Sequence, residues 1–137
     1  MSVRTLGVVL LTAGVLSGCG TSARDAVKAK VEQYGRATRD HDYKTLCTQV
    51  LAPSLVARLT SFGLSCERAM TIAYGPVKDA TLGVGKVTVN GTSASVIVLS
   101  LAANQPSSLG TVQLVKTAQG WRIISESSLT GGSASAQ

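Results

Sequence analysis

Residues 84–99 read Val-Gly-Lys-Val-Thr-Val-Asn-Gly-Thr-Ser-Ala-Ser-Val-Ile-Val-Leu, and this stretch decides the class of fold. Asn90-Gly91 at its centre is the strongest short signal for a hairpin turn, because both residues readily adopt the positive φ that the turn requires. Valines alternate before the turn, and a largely apolar run from Ser95 to Leu99 follows it. The stretch therefore predicts two antiparallel strands joined at Asn90-Gly91.

A second hairpin is predicted farther along the chain. Residues 104–108, which include Pro106, have the composition of a loop. Apolar and β-branched residues then recur at 111–115 and 121–124, and a turn at 118–120 joins the two runs. Gly83 and Gly85 indicate a bulge or bend in the first strand, as a strongly curved sheet needs. We therefore expect a curved antiparallel sheet of about four strands.

The residues before the sheet predict a long amphipathic helix. The segment Ser22-Ala23-Arg24-Asp25 has the form of a capping box, in which the serine and the acid each satisfy free backbone N–H groups at a helix start. Val27, Val31, Tyr34 and Thr38 then recur at helical spacing on one face. We expect this face to pack on the core.

Three shorter helices are predicted between this helix and the sheet. Asp42 is a suitable N-cap for a second helix that continues to Val50. Pro53 suits the first turn of a third helix, and Gly63 suits its C-terminal stop. A further short helix is expected at about residues 65–73. Helices followed by antiparallel strands predict an α+β domain, in which the helices cover one face of the sheet.

The N-terminus has the features of an export signal. Arg4 precedes an uncharged, mainly apolar run at residues 6–16, which is too short to cross a membrane as a permanent helix. Leu16-Ser17-Gly18-Cys19 then resembles the lipobox of bacterial lipoproteins, in which the cysteine receives a diacylglyceryl group and becomes the mature N-terminus. An ordinary secretory signal or a short uncleaved anchor is the alternative, but neither explains the position of Cys19.

These features divide the chain into four parts. We expect a lipoprotein signal peptide at residues 1–18, a lipidated N-terminus and very short tether at 19–22, one domain at 23–127, and a disordered tail at 128–137. Two acyl chains on Cys19 would hold the protein stably on its membrane, since each buried methylene contributes ~0.8 kcal/mol. The predicted location is the outer face of the cell membrane, with membrane lipid as a partner.

Two cysteines remain once Cys19 carries lipid. Cys47 and Cys66 form an even pair in a compartment where disulfides persist, which predicts one bridge. Two buried free thiols are the alternative. Neither a metal nor another cofactor is expected, because His41 is the only histidine and a Cys₂His site would need further ligands close by.

The formal net charge of +6 bears on the choice of partner. Nucleic acid is not expected, because the chain is predicted to be exported, its aromatic residues are few and it contains no run of Lys and Arg. Anionic lipid headgroups fit better. Only Gly20 and Thr21 separate Cys19 from the helix cap, so Arg24 and Lys28 are predicted to face the membrane. An ordinary solvated helix face is the alternative.

The combined pattern resembles a known family. Residues 34–37, Asp42, Leu46-Cys47, Cys66 and the closing Gly120-Trp121-Arg122-Ile123 are similar to NTF2-like (cystatin-like) lipoproteins of high-GC Gram-positive bacteria. The resemblance covers residues 23–127 and implies a cone-shaped domain, in which helices close a bent sheet around a pocket. Such pockets host isomerases, hydrolases and cyclases in some relatives and bind ligands or partner proteins in others, so the fold alone selects no function.

Three aromatic residues are candidates to line such a pocket. Tyr34, Tyr43 and Trp121 are large and amphipathic, although each also suits the core or its rim. His41 lies between two aspartates, a pattern that acid–base catalysis uses. Because Asp is favoured as a cap in turns between helices, a structural role explains this cluster better.

Two carboxylates occur in the region of the strands, Asp79 and Glu126. Isomerase-like relatives place a carboxylate and a tyrosine inside the cone. We expect Asp79 to precede the sheet and Glu126 to follow its last strand. Neither is then placed at the middle of an inward-facing strand, and the sequence predicts no catalytic residue.

Two classes of function remain. The first is a membrane-tethered, non-enzymatic module that binds a small apolar ligand or an envelope protein, and it is the class we favour. The second is a small isomerase-like or hydrolase-like enzyme on the same fold. A filled apolar core would favour the first class, whereas a deep pocket with a buried pair of acid and tyrosine would favour the second.

Overall fold

In the computed structural model, which describes residues 22–128, helices are followed by one antiparallel sheet. The helical elements are α1 (Ala23–Arg39), α2 (Tyr43–Thr45), a π-helical turn (Leu46–Val50), α3 (Pro53–Ser61) and α4 (Cys66–Tyr74). The strands are β1 (Thr81–Asn90), β2 (Ser93–Ala102), β3 (Gln105–Thr117) and β4 (Gly120–Ser128), paired in that order. The α+β class predicted from the sequence is confirmed.

Several predictions about the two ends of the chain fall outside the described residues. These are the signal peptide, Cys19 with its tether, and the tail at 129–137. Ser128, which was predicted to begin the tail, is instead the last residue of β4, where it pairs with Gly110 of β3. Among residues 22–128, no helix is long and apolar enough to cross a membrane.

Helix α1 begins at the predicted cap and buries the predicted face. The side-chain oxygen of Ser22 accepts a hydrogen bond from the backbone N–H of Asp25 at 3.1 Å. Val27 and Val31 are completely buried, and Tyr34 is nearly so. This face packs on β1 and reaches β2 and β4, so it closes the inner side of the sheet.

The second helix differs from the prediction in its geometry. Asp42 caps it as expected, because its carboxylate accepts a hydrogen bond from the N–H of Thr45 at 3.0 Å. After Thr45, however, the chain continues as a π-helical turn rather than as an α-helix. The turn holds both Leu46 and Val50 in the core, and the chain then extends at Leu51. Apolar periodicity over five residues does not distinguish these two helix types.

A disulfide joins Cys47 in the π-helical turn to Cys66 at the start of α4, with the two Cα atoms 5.9 Å apart. The predicted bridge is therefore confirmed. It links two helical elements through cysteines that lie 19 residues apart in the chain. Around it, α4 packs on the π-helical turn, α2 and α3.

We expect loss of this bridge to destabilise the domain. Replacing both residues, as Cys47→Ser with Cys66→Ser, should lower the free energy of unfolding by ~3 kcal/mol, because the unfolded chain regains the entropy of an open loop. Urea denaturation of the oxidised wild type and the double variant measures the difference. The reduced wild type serves as the control and should match the variant, whereas equal stability of oxidised and reduced wild type would contradict the expectation.

The first hairpin has the predicted turn. Gly91 adopts a φ of 58°, and Asn90 pairs with Ser93 across the turn. The pairing of β1 with β2 shifts between Val84 and Val87, which places a bulge where the sequence predicted a bulge or bend.

Residues 104–108 do not form the predicted loop. Gln105 already begins β3, so Pro106 lies within a strand. Within the described residues, β4 pairs with β3 only as far as Gly110, and β3 therefore has a single neighbour, β2, at Pro106. A proline, which lacks an N–H donor, is tolerated at such an unpaired edge.

The core lies between α1 and the inner face of the sheet. Val96 of β2 pairs with Val112 of β3, and Val98 and Leu114 lie on the same inner face. All four side chains are almost completely buried. These small aliphatic residues fill the centre and the end of the sheet near the Asn90-Gly91 turn. The opposite end, where the inner face carries serines, is less completely filled.

Candidate functional site

A cavity of about 180 Å³ opens between α1, the end of α4 and the sheet. Its walls are largely apolar and include Val77, Leu82 and Ala102. The inner face of the sheet contributes Ser100 and Ser108, which pair with each other across β2 and β3. The cavity therefore occupies the part of the cone that the valine core leaves open.

Glycine in α1 permits the close approach that forms one wall of this cavity. Gly35 and Leu82 both line it. A Cβ atom added at Gly35 would lie 2.9 Å from the Cβ of Leu82, which is closer than carbon atoms pack. The absence of a side chain thus allows α1 to lie directly against β1.

One corner of the cavity is polar and consists of Tyr34 of α1, Tyr74 of α4 and Glu126 of β4. The hydroxyl of Tyr34 donates to Oε2 of Glu126 at 2.6 Å. The Tyr74 hydroxyl lies 2.8 Å from the oxygen of Tyr34 and 3.4 Å from the same Oε2. We call these three residues the Tyr–Tyr–Glu corner.

A bulge in β4 turns Glu126 toward the cavity. Ile123 pairs with Leu114, but the next pair is Ser125 with Gln113, so Ile124 is an extra residue in the strand. Beyond it, Glu126 pairs with Val112, which belongs to the buried inner face. Without the bulge, strict alternation from Ile123 would place Glu126 on the outer face.

This geometry corrects the predicted position of Glu126. The carboxylate does not follow the last strand, because β4 continues to Ser128. Glu126 itself remains exposed, whereas Tyr34 is 5% exposed and Tyr74 is half-buried. The corner therefore pairs an accessible carboxylate with two phenols that are largely withdrawn from water.

The corner keeps both phenols protonated. Burial raises the pKa of Tyr34 well above its usual range, and the neighbouring Tyr74 and the charge of Glu126 add to the effect. Burial and the charge of Glu126 also raise the pKa of Tyr74 to about 12. Both tyrosines therefore act as neutral hydrogen-bond donors at physiological pH.

The raised pKa of Tyr74 makes stability depend on alkaline pH. In the unfolded chain Tyr74 ionises near a pKa of about 10, whereas the folded protein holds that proton up to about 12. The unfolded state therefore loses its proton first, and the free energy of unfolding should fall across this interval, by up to about 2 kcal/mol from this residue. Urea denaturation near pH 10 and near pH 12 should show a smaller fall in the free energy of unfolding for Tyr74→Phe than for wild type. An equal fall would contradict the expectation.

Two of the three aromatic candidates do not line the cavity. Tyr34 does, but Tyr43 contacts the ring of His41 edge-on, with ring centroids 5.8 Å apart. Trp121 is buried in the core, where it pairs with Lys116 at the end of the sheet opposite the cavity. Of the three candidates, Tyr34 alone belongs to the corner, and the second tyrosine of the corner, Tyr74, was not among the three.

The residues around His41 have structural roles in the turn between α1 and α2. The imidazole Nε2 lies 3.2 Å from the backbone oxygen of Val77, and His41 adopts a φ of 53°. Asp40 pairs with Arg39 at 3.0 Å, and Asp42 caps α2. None of the three lines the cavity, and within residues 22–128 no group of three or more His, Cys, Asp or Glu is placed to hold a metal.

Arg24 and Lys28 lie on the exposed side of α1. Lys28 forms an ion pair with Glu32 at 3.9 Å. Both cationic residues line an open groove between α1 and β1, and Lys86 from the β1 bulge lines the same groove. Three cations thus lie together near the start of α1, the end of the domain that is closest in sequence to Cys19.

Comparison with known proteins identifies the fold. No model of a known protein family matches the chain, and no curated protein does. Solved structures do match: an NTF2-like protein of unknown function from Shewanella baltica is 12% identical with a TM-score of 0.54, and covers 74% of this chain and 87% of its own. The chain adopts the NTF2-like fold.

Two further NTF2-like structures agree. An NTF2-like protein of unknown function from Silicibacter pomeroyi is 18% identical with a TM-score of 0.54, covering 74% of this chain and 89% of its own. A Streptomyces avermitilis protein described as a "putative dehydratase" of the NTF2-like family is 13% identical with a TM-score of 0.54, covering 76% and 93%. Identities this low concern the fold and not the activity.

Proposed function

We propose that the chain is an exported lipoprotein, anchored through Cys19, whose NTF2-like domain binds a small and mainly apolar molecule without transforming it. The cavity beside the Tyr–Tyr–Glu corner is the observation that carries this proposal. Binding sites for small molecules combine apolar walls with a few placed polar groups, and this cavity has that composition.

The size of the cavity limits the ligand. Its volume of about 180 Å³ is slightly larger than an engineered apolar cavity of ~150 Å³ that accepts benzene. It is smaller than the ~300 Å³ at which sites for drug-sized ligands begin. The ligand therefore has the bulk of a single ring or a short branched chain.

A cavity beside an acid–tyrosine pair is the arrangement expected of an enzyme, but here the carboxylate is exposed rather than buried, and the hydrogen bonds of the corner favour binding. An enzyme of the isomerase type needs a donor aimed at the atom on which negative charge develops. Here Tyr34 directs its proton to Glu126, and Tyr74 directs its own to Tyr34 or Glu126. Neither proton is directed at a substrate.

Filling the cavity should abolish ligand binding. Ser100→Phe places a ring in the space, because Ser100 is on the inner face of β2 and lines the cavity. Ser95→Phe is the matched control, since Ser95 pairs with Gln113 on the outer face of the same strand. Titration calorimetry with toluene should detect binding to wild type and to Ser95→Phe but not to Ser100→Phe. Failure of toluene to bind wild type, or undiminished binding to Ser100→Phe, would contradict the proposal.

The anchor is tested separately. Intact-mass analysis of protein extracted from membranes should show a diacylglyceryl increment on a chain that begins at Cys19. Cys19→Ala should remove the increment and release or misprocess the protein. Wild-type protein with an unmodified Cys19 would disprove lipidation and leave the cavity proposal untouched.

If the anchor is present, the three cations of the groove support a defined orientation. We propose that Arg24, Lys28 and Lys86 face anionic headgroups, since each basic residue near such a surface contributes ~1 kcal/mol. Replacing all three by Glu in the unlipidated chain should weaken its binding to anionic vesicles at low salt. The control replaces three other exposed cations, Lys44, Arg68 and Lys116, by Glu, and should weaken binding less. Equal loss in the two variants would contradict the orientation.

A second candidate function is supported by the short bond between Tyr34 and Glu126. An accessible carboxylate next to a cavity is placed to act as a general base, and a phenol that rotates away from it would become a donor. A β,γ-unsaturated cyclic ketone of single-ring size is a suitable substrate for the test. Isomerisation by wild type that Glu126→Gln abolishes would establish this second function in place of simple binding.

A further inference from the structure

We propose that the cavity selects a cationic ligand, a protonated amine of single-ring size whose ammonium group pairs with Glu126. This inference rests on the proposed binding function and names the chemical class of its ligand. It follows from the charge of the corner, the geometry of its hydrogen bonds and an unsatisfied hydroxyl inside the cavity.

The carboxylate of Glu126 has neutral partners. Its hydrogen bonds come from two phenols, Tyr34 and Tyr74. The ion pairs among residues 22–128 are Lys28 with Glu32 and Arg39 with Asp40, so no cationic side chain of the described domain pairs with Glu126. Glu126 is exposed and lines the cavity, so a cationic ligand can pair with its carboxylate without displacing an existing ion pair.

The hydrogen bonds of the corner leave room for that group. Both phenols contact the same oxygen, Oε2, and neither donates a hydrogen bond to the second carboxylate oxygen, Oε1. An ammonium group can therefore pair with Oε1 while both phenols keep their hydrogen bonds to Oε2.

Thr38 provides an independent indication that the ligand carries polar atoms. It lies one turn after Tyr34 on α1, lines the cavity and is 8% exposed. Its side-chain oxygen is buried and has no hydrogen-bond partner within the described domain. A buried hydroxyl without a partner is unfavourable, and a polar ligand atom would satisfy it.

The sign of the ligand's charge runs against the net charge of the protein. The chain carries a formal +6, so long-range attraction favours anions. A preference for a cation must therefore come from the local carboxylate. Ligands of equal size but different charge therefore distinguish a local preference for a cation from the long-range attraction of anions.

The experiment compares benzylamine, benzyl alcohol, toluene and benzoate by titration calorimetry at neutral pH and physiological salt, with the full mature chain carrying Cys19→Ser. Benzylamine should bind wild type about tenfold more tightly than toluene, because it forms a charge-assisted hydrogen bond to Glu126 that toluene cannot form. Benzyl alcohol should lie between the two, and benzoate should bind most weakly.

Two variants separate the local charge of Glu126 from the net charge of the protein. Glu126→Gln keeps an acceptor for the tyrosines but removes the charge, and it should abolish the preference for benzylamine while toluene still binds. Asp79→Asn removes one negative charge from a residue that does not line the cavity, and it should retain the preference. Persistence of the preference in Glu126→Gln, or its equal loss in Asp79→Asn, would overturn the inference.

The failure of this inference is distinguishable from failure of the binding function. If toluene binds wild type and benzylamine binds no better, the cavity is a site for neutral molecules and the cationic class is wrong. If none of the four ligands binds, the binding function itself is wrong.

Discussion

The packing of α1 on the inner face of the sheet is the contact on which the rest of the structure depends. The valines of α1 and of the two central strands bury one another completely. Where Gly35 meets Leu82, the backbone of α1 lies so close to β1 that a Cβ atom at position 35 would collide with the side chain of Leu82. That approach fixes the position of Tyr34 on the same helix, and hence of the hydrogen bonds that reach β4.

Much of the fold could be predicted because its signals are local. The cap at Ser22, the turn at Asn90-Gly91 and the helix that begins at Pro53 each depend on a few neighbouring residues. The π-helical turn could not be predicted, since its selection depends on the strand that Leu51 joins and on the partner of Cys47. These are tertiary contacts.

The site was harder to predict, because one bulge determines it. The alternation of inward-facing and outward-facing side chains along β4 predicts the face of each residue only while every residue has one partner on β3. The extra residue, Ile124, reverses the faces, and the adjacent isoleucines at 123 and 124 are its one visible trace in the sequence. Glu126 was therefore recognised as a carboxylate near the sheet but was placed after the last strand rather than within it. Tyr74 belongs to the site because of the orientation of α4, and no local pattern in the sequence specifies that orientation.

The disulfide has a consequence for the site as well as for stability. Helix α4 packs chiefly on other helical elements, and yet its last residue, Tyr74, completes the corner of the cavity. The covalent link at Cys66 holds the opposite end of that helix. A reductant able to open this bridge would thereby control how firmly one wall of the cavity is held, and not only the stability of the fold.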